Sequence, residues 1–220
     1  GRVDCWGEAL HIFPTTSNGA GCKWTSTFNP CDATSHPVPQ NFTTKTGNVF
    51  ADHIQVGYVT ACALHGGVVT CWGDREFGQS GDGAVNGQFD PTVIAGLPGG
   101  VAQLSNLFGT TAVVDANGQA WALGWNASAQ VGDGMFDGAS CPGGGGTKCV
   151  TTAVQLAGLS NLAKISSGLQ SGAALTRDGR ILVWGSNYWG EQGHAPGSSG
   201  DLDCGGAFCH AGVDVVTGLP

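Results

Sequence analysis

Basic residues are scarce in this sequence. Eight Lys and Arg stand against sixteen Asp and Glu over 220 residues, a formal net charge of −8. So acidic a chain presents no basic stripe, which sets aside nucleic acid and anionic membrane surfaces as partners. No apolar run approaches the roughly 20 residues of a membrane span, so membrane insertion is not expected. No leader peptide is seen, which reads as a mature chain or a fragment. Zinc-type CxxC pairs, HExxH, a phosphate-binding P-loop and a nucleophile elbow are all missing. No catalytic residue, metal or cofactor is therefore assigned, and the chain is read as a non-enzyme. What is abundant is glycine, 39 residues, among many short apolar runs with only 11% charged residues. That mixture suits an all-β protein rich in turns.

Nine cysteines fall at close spacings: Cys22/Cys31, Cys62/Cys71, Cys141/Cys149 and Cys204/Cys209, with Cys5 left over. Zinc is the rival reading, but irregular spacings of nine, nine, eight and five favour disulfides. Disulfides in turn imply an oxidising, extracellular setting, secreted or at a cell surface.

The stretch CALHGGVVTCWGDREFGQSGDG, residues 62 to 83, organises the chain. Gly66-Gly67 between β-branched runs signals a hairpin, since glycine takes positive φ without steric cost. Cys62 and Cys71 then face each other across adjacent strands. The pattern recurs: Gly67, Gly118 and Gly179 correspond, as do Trp72, Leu123 and Trp184, with Trp6 in the same place near the start. Where Cys62 and Cys71 pair, the later repeats carry Ala112/Ala122 and Ala173/Val183. The landmark positions 6, 72, 123 and 184 are 66, 51 and 61 residues apart. The longer intervals hold cysteine-bearing insertions. Cys5 matches Cys71, so its partner is expected just upstream of residue 1. The reading divides the chain into an incomplete repeat at 1–43 and repeats at 44–98, 99–159 and 160–220. Units of about 50–60 residues with four short strands are the signature of propeller blades, favoured over a solenoid by the glycine turns and repeated tryptophans.

The repeats resemble those of the regulator of chromosome condensation family, whose pattern is roughly CALxxDGxVxCWGxNxxGQLGDG. It is matched at Cys62–Gly83, more loosely at Ala112–Gly134, and at Ala173–Gly193. The resemblance implies a β-propeller, usually of seven blades, of which this chain would supply about half. Nuclear members act in nucleotide exchange and bind chromatin with basic segments that this acidic chain lacks. Photoreceptor members use a GWRHT-like motif that is also missing. Neither role is carried over.

Trp6, Trp72 and Trp184 share one repeat position and are expected in the core, and Trp189, aligned with Phe77, is read the same way. The GDG turns at 81–83 and 132–134 invite a calcium reading; Asp133 with Asp137, and Asp201 with Asp203, are its best candidates. Carboxylates accepting N–H bonds in their own turns are the favoured account. CGGAFCH at 204–210 spells a rare spacing of a haem-attachment motif, with His210 and His194 as conceivable ligands. A disulfide beside a chance histidine is favoured. NFT at 41 and NAS at 126 are glycosylation sequons.

Aromatics outside the repeat pattern are the candidate contact residues: Trp24, Phe28, Trp125, Phe136 and Phe208. The expected function is an extracellular protein-binding scaffold, a structural or cell-surface assembly module that binds a protein partner or itself. A secreted enzyme inhibitor is the alternative; a hydrolase or carbohydrate-binding module is further off.

Overall fold

Glycine-punctuated alternation becomes a series of antiparallel sheets. The computed structural model describes residues 50–218 save 59, 86–87, 137–138, 142–147 and 199, and the backbone of short strands before residue 50. Those early strands are β1 (Asp4–Gly7), β2 (His36–Asn41), β3 (Thr43–Thr44) and β4 (Gly47–Asn48). They pair as β1–β2 and β3–β4. No helix among the described residues is long and apolar enough to cross a membrane.

The first sheet orders β5 (His53–Val56), β6 (Thr60–His65), β7 (Val68–Asp74) and β8 (Gln88–Val93) consecutively. The second contains β9 (Val101–Leu107), β10 (Thr110–Asp115) and β11 (Ala120–Trp125), then a short outer β12 (Ala139–Ser140) paired to β13 (Lys148–Gln155). The third repeats this with β14 (Leu162–Ser167), β15 (Ser171–Thr176), β16 (Ile181–Ser186), β17 (Leu202–Asp203) and β18 (Phe208–Val215). Each is a four-stranded meander, and the last two gain a fifth strand where the sequence carries a cysteine-bearing insertion.

Gly66 and Gly67 take φ of 56° and 80°, the left-handed pair that a tight two-residue hairpin demands. That turn sets the register. Cys62 lies opposite Cys71, with Cα atoms 4.1 Å apart and a disulfide between them. Ala112 lies opposite Ala122 and Ala173 opposite Val183. The two cysteines are thus replaced together because they occupy one cross-strand pair.

Disulfides Cys141–Cys149 and Cys204–Cys209 close the β12–β13 and β17–β18 hairpins. Both staple insertions too small to bury a core of their own. The Cys22–Cys31 pair lies outside the described residues, as does the side chain of Cys5.

Between sheets the contacts are apolar and continuous. Leu64, Val69 and Ile94 of the first repeat pack on Val101, Leu104, Val113 and Leu123 of the second. Val114, Val131, Leu156 and Leu159 of the second pack on Leu162, Ile165, Leu182 and Trp184 of the third. Each of these two seams is covered from both sides by neighbouring sheets, the packing of adjacent propeller blades. Trp72, Leu123 and Trp184 are all fully buried at equivalent positions. Trp189 departs from its expectation: it is 83% exposed. Its counterpart Phe77 is half-buried only because the following sheet supplies Phe108 and Trp125 beside it. Trp189 occupies that position in the last described sheet, where no further sheet faces it among the described residues.

Small residues sit where strands crowd. A Cβ on Gly57 would press on Asn106 Oδ1 and come 3.3 Å from the Thr60 carbonyl; one on Gly168 would lie 2.9 Å from Ser171 Oγ.

Candidate functional site: an aromatic rim and its supporting loops

The hairpin turns 66–67 and 117–118 lie at one end of the sheets, and the β5–β6, β9–β10 and β14–β15 turns lie at the other. At that second end the aromatic residues gather. Tyr58 is 65% exposed and its ring stacks on Phe108 at 5.0 Å between centroids. Phe108 in turn meets Trp125 at 5.3 Å and Phe77 at 6.4 Å, and Phe77 meets Trp125 at 5.5 Å. Phe108 has φ of +45°, a conformation a bulky L residue adopts only against a steric cost. A strained aromatic turn residue held between two rings is better suited to presenting a surface than to making a turn. The neighbouring Gly109 explains how Phe77 fits: a Cβ there would stand 2.6 Å from its ring.

The same end carries the counterparts from the third sheet. Leu169, equivalent to Tyr58 and Phe108, is exposed. Tyr188 and Trp189 contact each other edge-to-face at 4.6 Å, both well exposed. Arranged on one rim are two tyrosines, a leucine, two tryptophans and two phenylalanines. Such apolar rings with polar tips favour protein contact.

The candidate residues distribute unevenly over this rim. Trp125 is in it, half-buried as a brace between Phe77 and Phe108. Phe136 is half-buried against Ala129, Cys209 and Ala211, where the loop after β11 meets the Cys204–Cys209 insertion. Phe208 stands partly exposed in that insertion, over Gly197. Trp24 and Phe28 lie outside the described residues. Tyr58, Phe108, Leu169 and Tyr188 were not singled out by the sequence. The signal was their shared place at one end of each blade, which appears only once the register is applied to turns as well as strands.

In the GDG loops the carboxylates accept hydrogen bonds within their own turns. Asp82 Oδ1 accepts the Ala84 N–H at 3.0 Å and the Ser80 hydroxyl at 2.6 Å, and its other oxygen accepts from Arg75 at 2.8 Å. Partial burial pushes this carboxyl up, but the Ser80, Ala84 and Arg75 interactions outweigh it and hold Asp82 below its ordinary value of 3.8. Asp133 likewise accepts the Met135 N–H. Asp203 accepts the N–H groups of Gly205 and Gly206. All three are turn carboxylates, and Asp137 lies outside the described residues. The glycines beside them are needed for blade contact. A Cβ on Gly81 would stand 3.0 Å from Leu123, and one on Gly132 2.6 Å from Trp184. Each loop rests on the landmark residue of the next blade. Asn126, the potential sugar acceptor, is fully buried, with Oδ1 accepting the Val131 N–H at 3.0 Å and Nδ2 donating to the Met135 carbonyl. It organises the loop from inside, and a glycan cannot be attached there in the folded chain.

Stacked meanders that share apolar faces around a repeated tryptophan site define a segment of a β-propeller. Comparison with known proteins agrees. Residues 162–190 match the Regulator of chromosome condensation (RCC1) repeat. Human E3 ubiquitin-protein ligase HERC2 is 31% identical over 159 residues, 70% of this chain but 3% of that protein, and the mouse protein matches alike. Prp20p of Saccharomyces cerevisiae, studied for its binding to Gsp1p and histones, superposes with a TM-score of 0.69 at 17% identity, over 99% of this chain and 47% of that one. The yeast protein bound to Kap60 gives 0.62 at 19%, over 98% and 50%. Human WBSCR16 gives 0.59 at 19% identity, over 89% of this chain and 44% of that one. The chain belongs to the regulator of chromosome condensation repeat family and spans about half the length of these structural relatives.

Proposed function

We propose that this chain is part of an extracellular propeller that binds another protein through the aromatic rim. The observation that carries the reading is that Tyr58, Leu169, Tyr188 and Trp189 are all exposed at one end of the sheets, with Tyr58 stacked on Phe108, which Phe77 and Trp125 brace. Aromatic anchors on stiff scaffolds supply contact area at low entropic cost, which is why they dominate binding hot spots. Protein partners named for the yeast relative, Gsp1p, histones and Kap60, support protein binding as the general role. The three disulfides favour an oxidising compartment.

Within that role, a structural assembly module at the cell surface is the first choice. A secreted enzyme inhibitor would use the same rim, and stoichiometry separates the two: assembly gives open-ended self-association, inhibition a closed one-to-one complex. The test is affinity capture from the extracellular fraction of the source organism, with wild-type chain and a Tyr188→Ser/Trp189→Ser variant side by side. A partner, or further copies of the chain, retained by the wild type and lost by the variant supports the reading. Equal retention by both removes the rim from the account.

A further inference from the structure

The insertion after Gly193 brings two imidazoles and two carboxylates around one point. His194 follows β16 in the loop that Asn187 organises, Asp201 ends the turn before β17, and His210 and Asp214 lie on β18. Asp201 Oδ1 is 3.8 Å from His194 Nε2 and 3.5 Å from His210 Nδ1. Asp214 Oδ2 is 3.2 Å from His194 Nε2 and 4.0 Å from His210 Nε2. We infer that His194 Nε2, His210 Nδ1 and Asp201 Oδ1, with Asp214 beside them, form a binding site for a divalent transition-metal ion of the zinc class.

Hydrogen-bond accounting carries the inference. The side chain of Asp201 is wholly buried. Its Oδ2 accepts from Asn187 Nδ2 at 2.7 Å and from the Gly197 N–H at 2.9 Å, while Oδ1 has no hydrogen-bond partner. His194 Nε2 and His210 Nδ1 are buried and unpartnered as well. The nearby carboxylate oxygens are within ion-pair range of these nitrogens but not in hydrogen-bond geometry. Three buried polar atoms aimed at one another without partners are costly unless something between them accepts all three.

The tautomer of His194 fits that occupant. Asn187 Nδ2 lies 2.7 Å from Asp201 Oδ2, 3.2 Å from His194 Nδ1 and 3.4 Å from the His194 carbonyl. His194 Nδ1 also lies 3.3 Å from the Ala195 carbonyl; in the tautomer that donates there, the Nε2 lone pair enters the cluster, the form an ion would select. A ligating imidazole typically gives its second N–H to a carbonyl or carboxylate in this way, and Asp214 Oδ2, 3.2 Å from His194 Nε2, stands close enough to add its charge to the site. The donor set also selects the ion. Imidazole with carboxylate suits zinc, copper or nickel, whereas calcium requires six or more oxygens. Zinc ligands at about 2.0–2.2 Å in a tetrahedron stand roughly 3.3–3.6 Å apart. The three donors lie within 4.8 Å of one another, so a small closure brings them to an ion.

The ion's part would be structural. The Cys204–Cys209 disulfide fixes the β17–β18 end of the insertion, and the metal would tie its start, at His194, to β18. His194 and His210 are the pair once conceivable as haem ligands; the disulfide occupies both cysteines that such attachment would need.

The test uses the oxidised, untagged chain, stripped with chelator and titrated with zinc chloride by calorimetry and thermal unfolding. One ion per chain should bind, with a Tm rise of roughly 5–10 °C at hundredfold saturation. His210→Gln and His194→Gln should each weaken zinc binding by at least tenfold, with unchanged far-ultraviolet circular dichroism when metal-free. Calcium chloride should produce no shift. Absence of zinc binding by the folded chain, wild-type affinity in either glutamine variant, or an equal response to calcium would overturn the site. Failure of the rim variant to lose its partner would leave this site untouched.

Discussion

The indole N–H of Trp184 donates to the backbone carbonyl of Gln130, 2.9 Å away and 54 residues earlier in the chain. This bond joins one blade's loop to the core of the next. Gly132, two residues on, has φ of +81° and leaves no room for a side chain beneath the indole. The repeated tryptophan and the repeated glycine loop are therefore two halves of one joint, made between blades rather than within one.

Substitution should expose the joint. Trp184→Phe, losing the bond to Gln130, should cost about 1–2 kcal/mol, and Trp184→Ala about 3–5 kcal/mol. Gly134 has a similar φ but open space around it. Gly134→Ala should cost only the left-handed strain, about 1–2 kcal/mol, and Gly132→Ala about 2–5 kcal/mol because the indole must also move. Urea unfolding of the four variants measures this, and equal costs for the two glycines would contradict the joint.

Covalent structure gives a second check. Peptide mapping without reduction should find Cys62–Cys71, Cys141–Cys149 and Cys204–Cys209, with Cys22–Cys31 expected by the same logic. Replacing Cys62 and Cys71 together by alanine copies the Ala112/Ala122 pair of the next blade. The variant should fold and lose about 2–3 kcal/mol, the loop-closure term for so short a loop. Links between repeats would break the register.

Asp82 should contribute to acid sensitivity. Its folded value lies below 3.8, so the ionised carboxylate stabilises the fold fully above that value. The contribution is lost as pH falls through the lowered folded value. At pH 6–8 Asp82→Asn should be less stable by a few tenths to about 1 kcal/mol, since the pair with Arg75 is partly solvated. As pH falls below 3.8 and through the lowered folded value, the two proteins should converge. A difference constant from pH 2 to 8 would contradict the assigned partners.

The strands and their register were legible because they rest on local requirements. Gly66-Gly67 can only be a tight turn, and once that turn is placed Cys62 must face Cys71. Ala112/Ala122 and Ala173/Val183 follow by counting. The rest depends on what the next blade brings. Phe77 and Trp189 align, yet one has Phe108 and Trp125 beside it and the other faces no sheet among the described residues. Asn126 spells a sequon, but the loop folds around its amide. The His194–Asp201–His210 cluster joins a loop to a strand and has no spacing of its own to read.

The central claim is that the Tyr58–Trp189 rim contacts a protein partner. Site-specific photo-crosslinking tests it most directly, with a benzophenone amino acid placed in turn at 169 and 189 on the rim and at 117 and 178 on the opposite end. Irradiation in the extracellular fraction of the source organism should join positions 169 and 189 to the same protein, or to a second copy of this chain, and leave 117 and 178 unlinked. Crosslinks from 117 and 178 alone would contradict the assignment.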